Sequence, residues 1–204
     1  MDYSFTDEQG IKRTMSLNRD ECLEAVRNDY EELIRKYNPD VVKFRRLRTA
    51  AGEALKLEVK VNALSHYLSG SEDSEPKLCD SMKAIIVVKM GYPVVSVSAS
   101  YDPDYYLASP NVFTSGNACI DGWVPFKSSL ITVVDKLVRD MIHDPEVTRY
   151  DSMANHEMEN WHKKGVREGR FPTIEPRTLY MREKKCLPPR TAARRAPALP
   201  PRVH

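Results

Sequence analysis

Residues 109–125 read SPNVFTSGNACIDGWVP and carry the pattern from which the architecture of the chain is predicted. They lie within residues 101–127, which show no helical or strand periodicity and are rich in Asp, Pro, Gly, Asn and aromatic residues. A loop of this length inside a compact domain is usually functional or disordered. The aromatic and apolar residues around Cys119 predict an ordered loop, with the cysteine placed just before a sharp Asp121-Gly122 turn.

A helix and a series of strands precede this loop. The spacing of apolar residues predicts a helix from Asn18 to Tyr37, with Asn18 and Glu21 forming a capping box. Alternating or compact apolar patterns predict four strands, over residues 55–61, 62–68, 84–88 and 95–99. Strands that follow one another in this way pair antiparallel, so we expect a four-stranded meander.

Two helices and a basic tail follow the loop. The strongest helical pattern starts at Ser128 and stops at Asp144-Pro145, and a second helix is predicted over residues 152–164. After Phe171-Pro172 the pattern fades, and residues 182–204 are too poor in apolar residues to order themselves. The chain is therefore predicted to be an α+β domain with a flexible C-terminal tail.

The composition argues against several classes of protein. With 204 residues, 41% hydrophobic and 29% charged, the chain is typical of a soluble globular protein. Residues 1–181 hold 24 basic and 28 acidic side chains, a net charge of −4 that suits nucleic acid poorly. The longest apolar run, residues 84–88, falls far short of the roughly 18 residues that indicate a membrane span. The start, MDYSFTDEQG, is not a secretion signal, so a cytoplasmic location is expected.

The four cysteines form no CxxC pair and no zinc-finger spacing with histidine, so no metal and no cofactor are predicted. His156 and His162 are six residues apart, do not share a helical face as a metal pair, and are expected at the surface. Cys119, on a loop backed by a helix, is the candidate nucleophile. No basic residue lies near it in sequence, and His143 is the nearest histidine. A thiol of this kind suits exchange of acyl groups between thiols, because the leaving thiolate is good.

The motifs around Cys119 resemble those of the ubiquitin-conjugating enzymes, the UBC-fold family. Ser109-Pro110-Asn111 precedes the cysteine by the spacing of that family's His-Pro-Asn motif. Gly91-Tyr92-Pro93 resembles its Tyr-Pro segment and Cys119-Ile120-Asp121 its Cys-Leu-Asp. Trp123-Val124-Pro125 is similar to its Trp-Ser-Pro, and Asp144-Pro145 to the Asp-Pro that ends the following helix.

The resemblance implies a UBC-like fold over about residues 18–172: an N-terminal helix, the four-stranded antiparallel meander, the long active-site loop and C-terminal helices. Ser109 stands where the family usually has a histidine, and the stretch from Cys119 to Trp123 is shorter than in typical eukaryotic members. These departures indicate a divergent, prokaryotic-type member. The implied domains are an N-terminal extension (1–17), a UBC-like catalytic domain (18–175) and a basic Pro/Arg-rich tail (176–204).

The resemblance also implies a reaction and partners. Cys119 accepts a ubiquitin-like protein as a thioester from an activating enzyme, and an amine, usually a lysine, then attacks it. Asn111 stabilises the oxyanion or orders the loop, and Asp151, or less strongly Asp121, helps the lysine lose its proton. The first helix, Asn18–Tyr37, is the expected surface for the activating enzyme. A protein acceptor and a ligase complete the expected partners.

Two other interpretations remain open at the level of sequence. The first is a non-catalytic module of the same fold that binds a ubiquitin-like protein or scaffolds a complex. The second is a cysteine hydrolase, which requires a histidine such as His143 within hydrogen-bond reach of Cys119.

Overall fold

The computed structural model describes residues 1–7, 9–69, 75–120, 122–151, 153–172 and 174–181. In these residues two strands precede the first of three α-helices, seven strands follow it, and the other two helices come last. The strands are β1 (Asp2–Thr6), β2 (Lys12–Ser16), β3 (Val42–Arg46), β4 (Glu53–Val61), β5 (Ser65–Leu68), β6 (Lys77–Cys79), β7 (Met82–Lys89), β8 (Ser98–Tyr101) and β9 (Tyr106–Leu107). The helices are α1 (Arg19–Lys36), α2 (Leu130–Met141) and α3 (Glu157–Arg167), with a 3₁₀ turn at Pro176–Leu179.

The central layer is a four-stranded antiparallel sheet in the order β3-β4-β7-β8. Every second residue of β4 and β7 is buried, because successive side chains of a strand point to opposite faces. Leu57, Ile86 and Ala99 lie opposite one another across three strands in the middle of the buried face. α1 and α2 pack against this face and close the core.

The predicted α+β class is confirmed, with helices on an antiparallel sheet, but the predicted membership of the meander is wrong. Residues 65–68, expected in the central sheet, form a separate three-stranded sheet with β6 and β9. Their place is taken by β3, which the sequence did not reveal. Only Val42 and Phe44 face inward on this edge strand, and its other residues are basic, so the apolar alternation is too short to recognise.

The structure places both ends of α1 and the start of α2 where the sequence predicts them. Asn18 and Glu21 form the predicted capping box of α1. Ser129 caps α2 by accepting from the backbone N–H of Thr132. α3 differs, because it begins at Glu157, not at residue 152. The backbone N–H groups of Ala154 and Asn155 instead donate to the carbonyl of Pro110 at 2.9 and 3.0 Å, which ties this segment to the loop.

The two ends of the described chain lie against the domain. β1 and β2 form a hairpin in which Phe5 packs edge-on against Phe126, at 6.1 Å between ring centroids. At the other end, Leu179 is fully buried and Tyr180 donates to Asp135 of α2 at 2.8 Å. The division at residues 17 and 175 stays a prediction, and the expected flexible tail beyond residue 181 lies outside the described residues. Within the described part of the chain, no helix has the length and apolarity needed to cross a bilayer.

Candidate functional site

The loop that carries Cys119 is folded back on itself and attached to the edge of the central sheet. The backbone N–H of Cys119 donates to the carbonyl of Asn111 at 2.8 Å, and Val112 pairs with Ala118. Ala118 in turn donates to the carbonyl of Ala99 in β8 at 2.9 Å. The loop therefore adds one irregular strand to the edge of the sheet. This agrees with the prediction that the loop around Cys119 is ordered.

A glycine permits the tight turn within this loop. Gly116 has φ of +81°, a left-handed conformation that favours glycine. It lies so close to Tyr106 that a Cβ atom added there would be 2.5 Å from the ring atom Cε1. Its carbonyl accepts from the backbone N–H of Tyr101 at 2.9 Å. The conformation of the backbone and the close packing of the ring both specify glycine at this position.

Cys119 lies where two surface grooves meet, with 7% of the residue exposed. One groove, of about 330 Å³, runs along the start of α2 and is lined by Trp123, Lys127 and Thr132 among others. The other, of about 400 Å³, runs along the sheet edge and is bordered by the exposed ring of Phe113. An extended peptide segment in either groove would pass beside the cysteine.

The sequence motifs on either side of the cysteine come together beneath it. Trp123 donates its indole N–H to the carbonyl of Pro93 at 3.2 Å, and its ring lies 5.8 Å from that of Tyr92. The Tyr92 hydroxyl accepts from the backbone N–H of Leu130 at 2.8 Å, at the start of α2. Burial and a hydrogen bond to Asp29 raise the pKa of Tyr92. These contacts join the two motifs to the helix that supports the cysteine loop.

Asn111 is 2% exposed, and its side-chain amide has partners on both sides. Its Nδ2 donates to Asp140 Oδ1 at 3.2 Å and to the carbonyl of Val147 at 3.4 Å. Its Oδ1 accepts from the backbone N–H of Arg149 at 3.4 Å. The amide thus joins the cysteine loop to α2 and to the segment that follows α2.

Asp140 is a site residue that the sequence analysis missed. It is 2% exposed, and besides Asn111 it accepts from Ser109 Oγ at 2.8 Å. Ser109 Oγ itself accepts from the backbone N–H of Asn111 at 3.1 Å. Burial raises the pKa of Asp140 to about 6, although the two hydrogen bonds and the charge of Lys136 oppose the rise. One signal was present in the sequence: Asp140 follows Leu137 by three positions, on the apolar face of a strongly amphipathic helix.

Asp151 lies at the surface, in the segment between α2 and α3. That segment is attached on both sides of Asp151: Arg149 bonds to Asn111, and Ala154 bonds to Pro110. Asp151 therefore lies in sequence between two residues that bond to the loop, and the described structure gives it no contact to Cys119. The second candidate, Asp121, lies outside the described residues.

His143 bonds elsewhere and does not pair with Cys119, so it does not supply the histidine partner that the cysteine-hydrolase interpretation requires. Its Nε2 accepts from the backbone N–H of His66 at 3.1 Å, and its Nδ1 is buried without a hydrogen-bond partner in the described structure. It belongs to a buried histidine cluster with ring centroids 4.3 to 6.4 Å apart, made of His66, His143, Trp161, His162 and Phe171.

The position predicted for His162 is wrong, whereas His156 is exposed as expected. His162 is fully buried, stacks on Phe171 at 5.2 Å and forms a 2.8 Å hydrogen bond through Nδ1 with the Tyr150 hydroxyl. Burial lowers its pKa to about 4. Within the described residues, no group of three or more His, Cys, Asp or Glu side chains is arranged to hold a metal ion.

Comparison with known proteins finds similarity in structure and not in sequence family. No protein-family model and no curated protein sequence matches the chain. Among solved structures, the chain is similar to S. cerevisiae Ubc12, with 16% sequence identity and a TM-score of 0.49. The match covers 81% of this chain and 88% of the yeast chain.

Proposed function

We propose that the chain is a ubiquitin-conjugating-type enzyme with a UBC-like fold, in which Cys119 carries a ubiquitin-like protein as a thioester. The observation that carries the proposal is the pairing of Cys119 with Asn111. The two motif residues, eight positions apart, are joined by a backbone hydrogen bond on a loop that lies between two grooves. A thiol at the edge of a groove, backed by a capped helix, suits the acceptance of an extended C-terminal peptide.

The reaction consists of two acyl transfers. The Cys119 thiolate attacks the thioester carbonyl on the activating enzyme, a new C–S bond forms, and the thiolate of the activating enzyme leaves. A neutral lysine amine then attacks the Cys119 thioester, an amide bond forms, and the Cys119 thiolate leaves. The ammonium proton of the lysine goes to a base or to solvent. Asp151 is the proposed base, because it is exposed and lies on a segment attached to the cysteine loop.

Asn111 has two proposed roles, and its hydrogen bonds favour the ordering of the loop. Both N–H groups of its amide donate to protein oxygens, on Asp140 and Val147, so neither is available to an oxyanion in this arrangement. The backbone carbonyl of Asn111 accepts a hydrogen bond from the backbone N–H of Cys119. Asn111 is therefore proposed as a positioning residue for the cysteine.

The partners follow from the same proposal. α1 is the proposed docking surface for the activating enzyme, and its Ile34 is 52% exposed. A protein acceptor with a reactive lysine and a ligase are the further proposed partners, and the cytoplasm is the proposed location. Ser109 in place of a histidine, and the short stretch from Cys119 to Trp123, support a divergent, prokaryotic-type member.

The alternative is a non-catalytic module of the same fold that binds a ubiquitin-like protein. The burial of Cys119, with 7% exposed, favours it. The two proposals differ in one property, which is whether a covalent bond forms at Cys119.

A covalent trap in the native host distinguishes them. Cys119→Lys would convert a labile thioester into an isopeptide bond that resists both thiol and hydroxide. The full-length variant is purified and its intact mass is measured. We expect an added mass equal to that of a small protein domain, attached at position 119 through a C-terminal glycine.

Two controls make the trap specific. Cys119→Ala should give no adduct, and Cys79→Ser, which changes another described thiol, should leave adduct formation on the wild-type cysteine unchanged. If Cys119→Lys gives no adduct while the host's activating enzyme and modifier are present, the conjugating function is wrong. Noncovalent retention of a ubiquitin-like protein by the same variant would then support the binding module.

A further inference from the structure

Three polar side chains meet inside the domain where the last turn of α2 contacts the start of the cysteine loop. Asp140 Oδ1 accepts from Ser109 Oγ at 2.8 Å and from Asn111 Nδ2 at 3.2 Å. All three residues have an exposed fraction of 2% or less. A buried carboxyl is costly unless it is hydrogen-bonded, so a specific reason for its presence is expected.

The position of Asp140 links it to Cys119 through one intermediate residue. Asp140 fixes the side chain of Asn111, and the carbonyl of Asn111 accepts from the backbone N–H of Cys119 at 2.8 Å. Asp140 also bonds Ser109, which holds the backbone N–H of Asn111. Asn111 is thereby fixed from two directions by one carboxyl group.

We infer that Asp140 is a proton-dependent positioning residue, whose ionised carboxyl holds Asn111 and thereby the loop that presents Cys119. The inference rests on the proposed function only for its consequence in catalysis. Hydrogen bonds to a charged acceptor are roughly twice as strong as those between neutral groups. Ionised Asp140 therefore holds the loop tightly, and protonated Asp140 holds it weakly.

The groups around Asp140 place the protonation of its carboxyl near neutral pH. Lys136, one turn earlier on α2, favours the charged carboxyl, as do the hydrogen bonds from Ser109 and Asn111. Burial favours the neutral form more strongly, and the pKa of Asp140 is raised to about 6. Tyr101 of β8 also faces this charge, with a buried hydroxyl that has no hydrogen-bond partner in the described structure. The pKa of Tyr101 is raised by burial and by Asp140, so it stays neutral in this range.

NMR titration of the full-length protein tests the inference directly. The carboxyl carbon of Asp140 and the side-chain NH₂ resonances of Asn111 are followed from pH 5 to pH 8. We expect both to titrate with one midpoint near pH 6. When the loop opens locally and Asp140 stays buried, the open state lacks the hydrogen bonds that lower the pKa of Asp140, so protonation favours this opening. We therefore expect protection of the Cys119 backbone N–H against hydrogen exchange, relative to its intrinsic rate, to fall by roughly tenfold below the midpoint, as one weakened hydrogen bond permits.

Two variants separate positioning from mere stability. In Asp140→Asn the amide oxygen still accepts from Ser109 and Asn111 but does not titrate, so the Asn111 resonances should show no midpoint near pH 6. Asp135→Asn is the matched control, because Asp135 lies on the same helix and bonds Lys36, Tyr37 and Tyr180 instead. It should leave the Asn111 titration in place.

The inference is overturned if the Asn111 resonances stay flat while Asp140 titrates, or if they titrate equally in Asp140→Asn. Because the wild-type titration already compares Asp140 with Asn111, the test stands even if Asp140→Asn fails to fold. None of these measurements needs a modifier or an activating enzyme. Failure of the conjugating function would therefore leave the NMR result unchanged, and failure of the inference would leave adduct formation at Cys119 unchanged.

Discussion

The backbone N–H of Cys119 donates to the carbonyl oxygen of Asn111 at 2.8 Å, and this bond joins the two residues on which the proposed chemistry depends. The side chain of Asn111 then extends the connection to Asp140, Val147 and Arg149. A cysteine on a surface loop is thereby anchored to the core of the domain.

Replacing Asn111 with Ala should destabilise the domain by about 1–3 kcal/mol, because buried hydrogen-bonding groups lose their partner. Urea denaturation of the full-length protein measures the loss. Asn117→Ala is the matched control: Asn117 lies in the same loop, is exposed, and among the described residues its side chain bonds Ser115. Equal stability of the two variants would show that the Asn111 side chain does not anchor the loop.

Ser109→Ala should raise the pKa of Asp140 further above 6, since the Ser109 hydroxyl is one of the groups that favour the ionised carboxyl. The domain should also lose about 1 kcal/mol of stability with the hydrogen bond. The carboxyl ¹³C resonance of Asp140 reports the shift. Ser115→Ala, at an exposed position of the same loop, should leave the titration unaltered. A pKa of Asp140 that stays constant or falls in Ser109→Ala would contradict the described contact.

The histidine cluster should make the protein less stable in acid. Burial lowers the pKa values of His66, His143 and His162, so the unfolded chain binds more protons than the folded one below about pH 6.5. Stability is then complete above pH 6.5 and falls as the pH drops toward the folded value, which is about 4 for His162. Relative to the unfolded chain, in which its carboxyl is solvated, Asp140 has a raised pKa, so its protonation below pH 6 stabilises the folded state against global unfolding even though its own hydrogen bonds weaken.

Histidine variants separate the contribution of the cluster to the pH dependence of stability from that of Asp140. His162→Phe should remove up to about 1.4 kcal/mol per pH unit from the acid slope, which is the contribution of one proton. Urea midpoints between pH 8 and pH 5 give the slope. His156→Gln, at the exposed N-cap position of α3, should leave it unaltered. An unchanged slope in His162→Phe would mean that the buried ring does not stay neutral.

Gly116→Ala should destabilise the cysteine loop more than Gly52→Ala destabilises its own turn. Both glycines have φ of +81°, so the strain of a left-handed alanine, on the order of 1 kcal/mol, is shared. Only at Gly116 does the added Cβ meet an aromatic ring, that of Tyr106 at 2.5 Å. A Cβ added at Gly52 would have no atom within 4 Å of it outside its own chain neighbours. Thermal denaturation compares the two variants, and a smaller loss for Gly116→Ala would contradict the packing of the loop.

Much of the fold could be predicted where the signal was local. Residues close in sequence determine the capping box of α1 and the apolar face of α2. They also indicated that the loop around Cys119 is ordered. Strand β3 could not be predicted in this way, because it gains its place by pairing with β4 and shows little alternation of its own. The start of α3 was misplaced because its preceding backbone N–H groups bond to Pro110, more than forty residues earlier.

The same distinction applies to the site. Cys119 and Asn111 were predicted as site residues from their resemblance to a family motif with this spacing, and in the structure a backbone hydrogen bond joins them. Asp140 and His162 are buried polar groups whose partners lie on other elements, and a polar residue on an amphipathic helix looks exposed until the packing is known. An acid on the apolar side of α2 was the one readable sign of the Asp140 contact.

The most direct test of the central claim is peptide mapping of a thiol-labile adduct on the wild-type protein. The full chain is isolated from its native host under acid quench, and intact mass is recorded with and without added thiol. The account predicts an added mass that thiol removes and that maps to Cys119, and no such mass in Cys119→Ala. An adduct that persists in Cys119→Ala, or a wild-type protein with no adduct in a host that holds both modifier and activating enzyme, would contradict it.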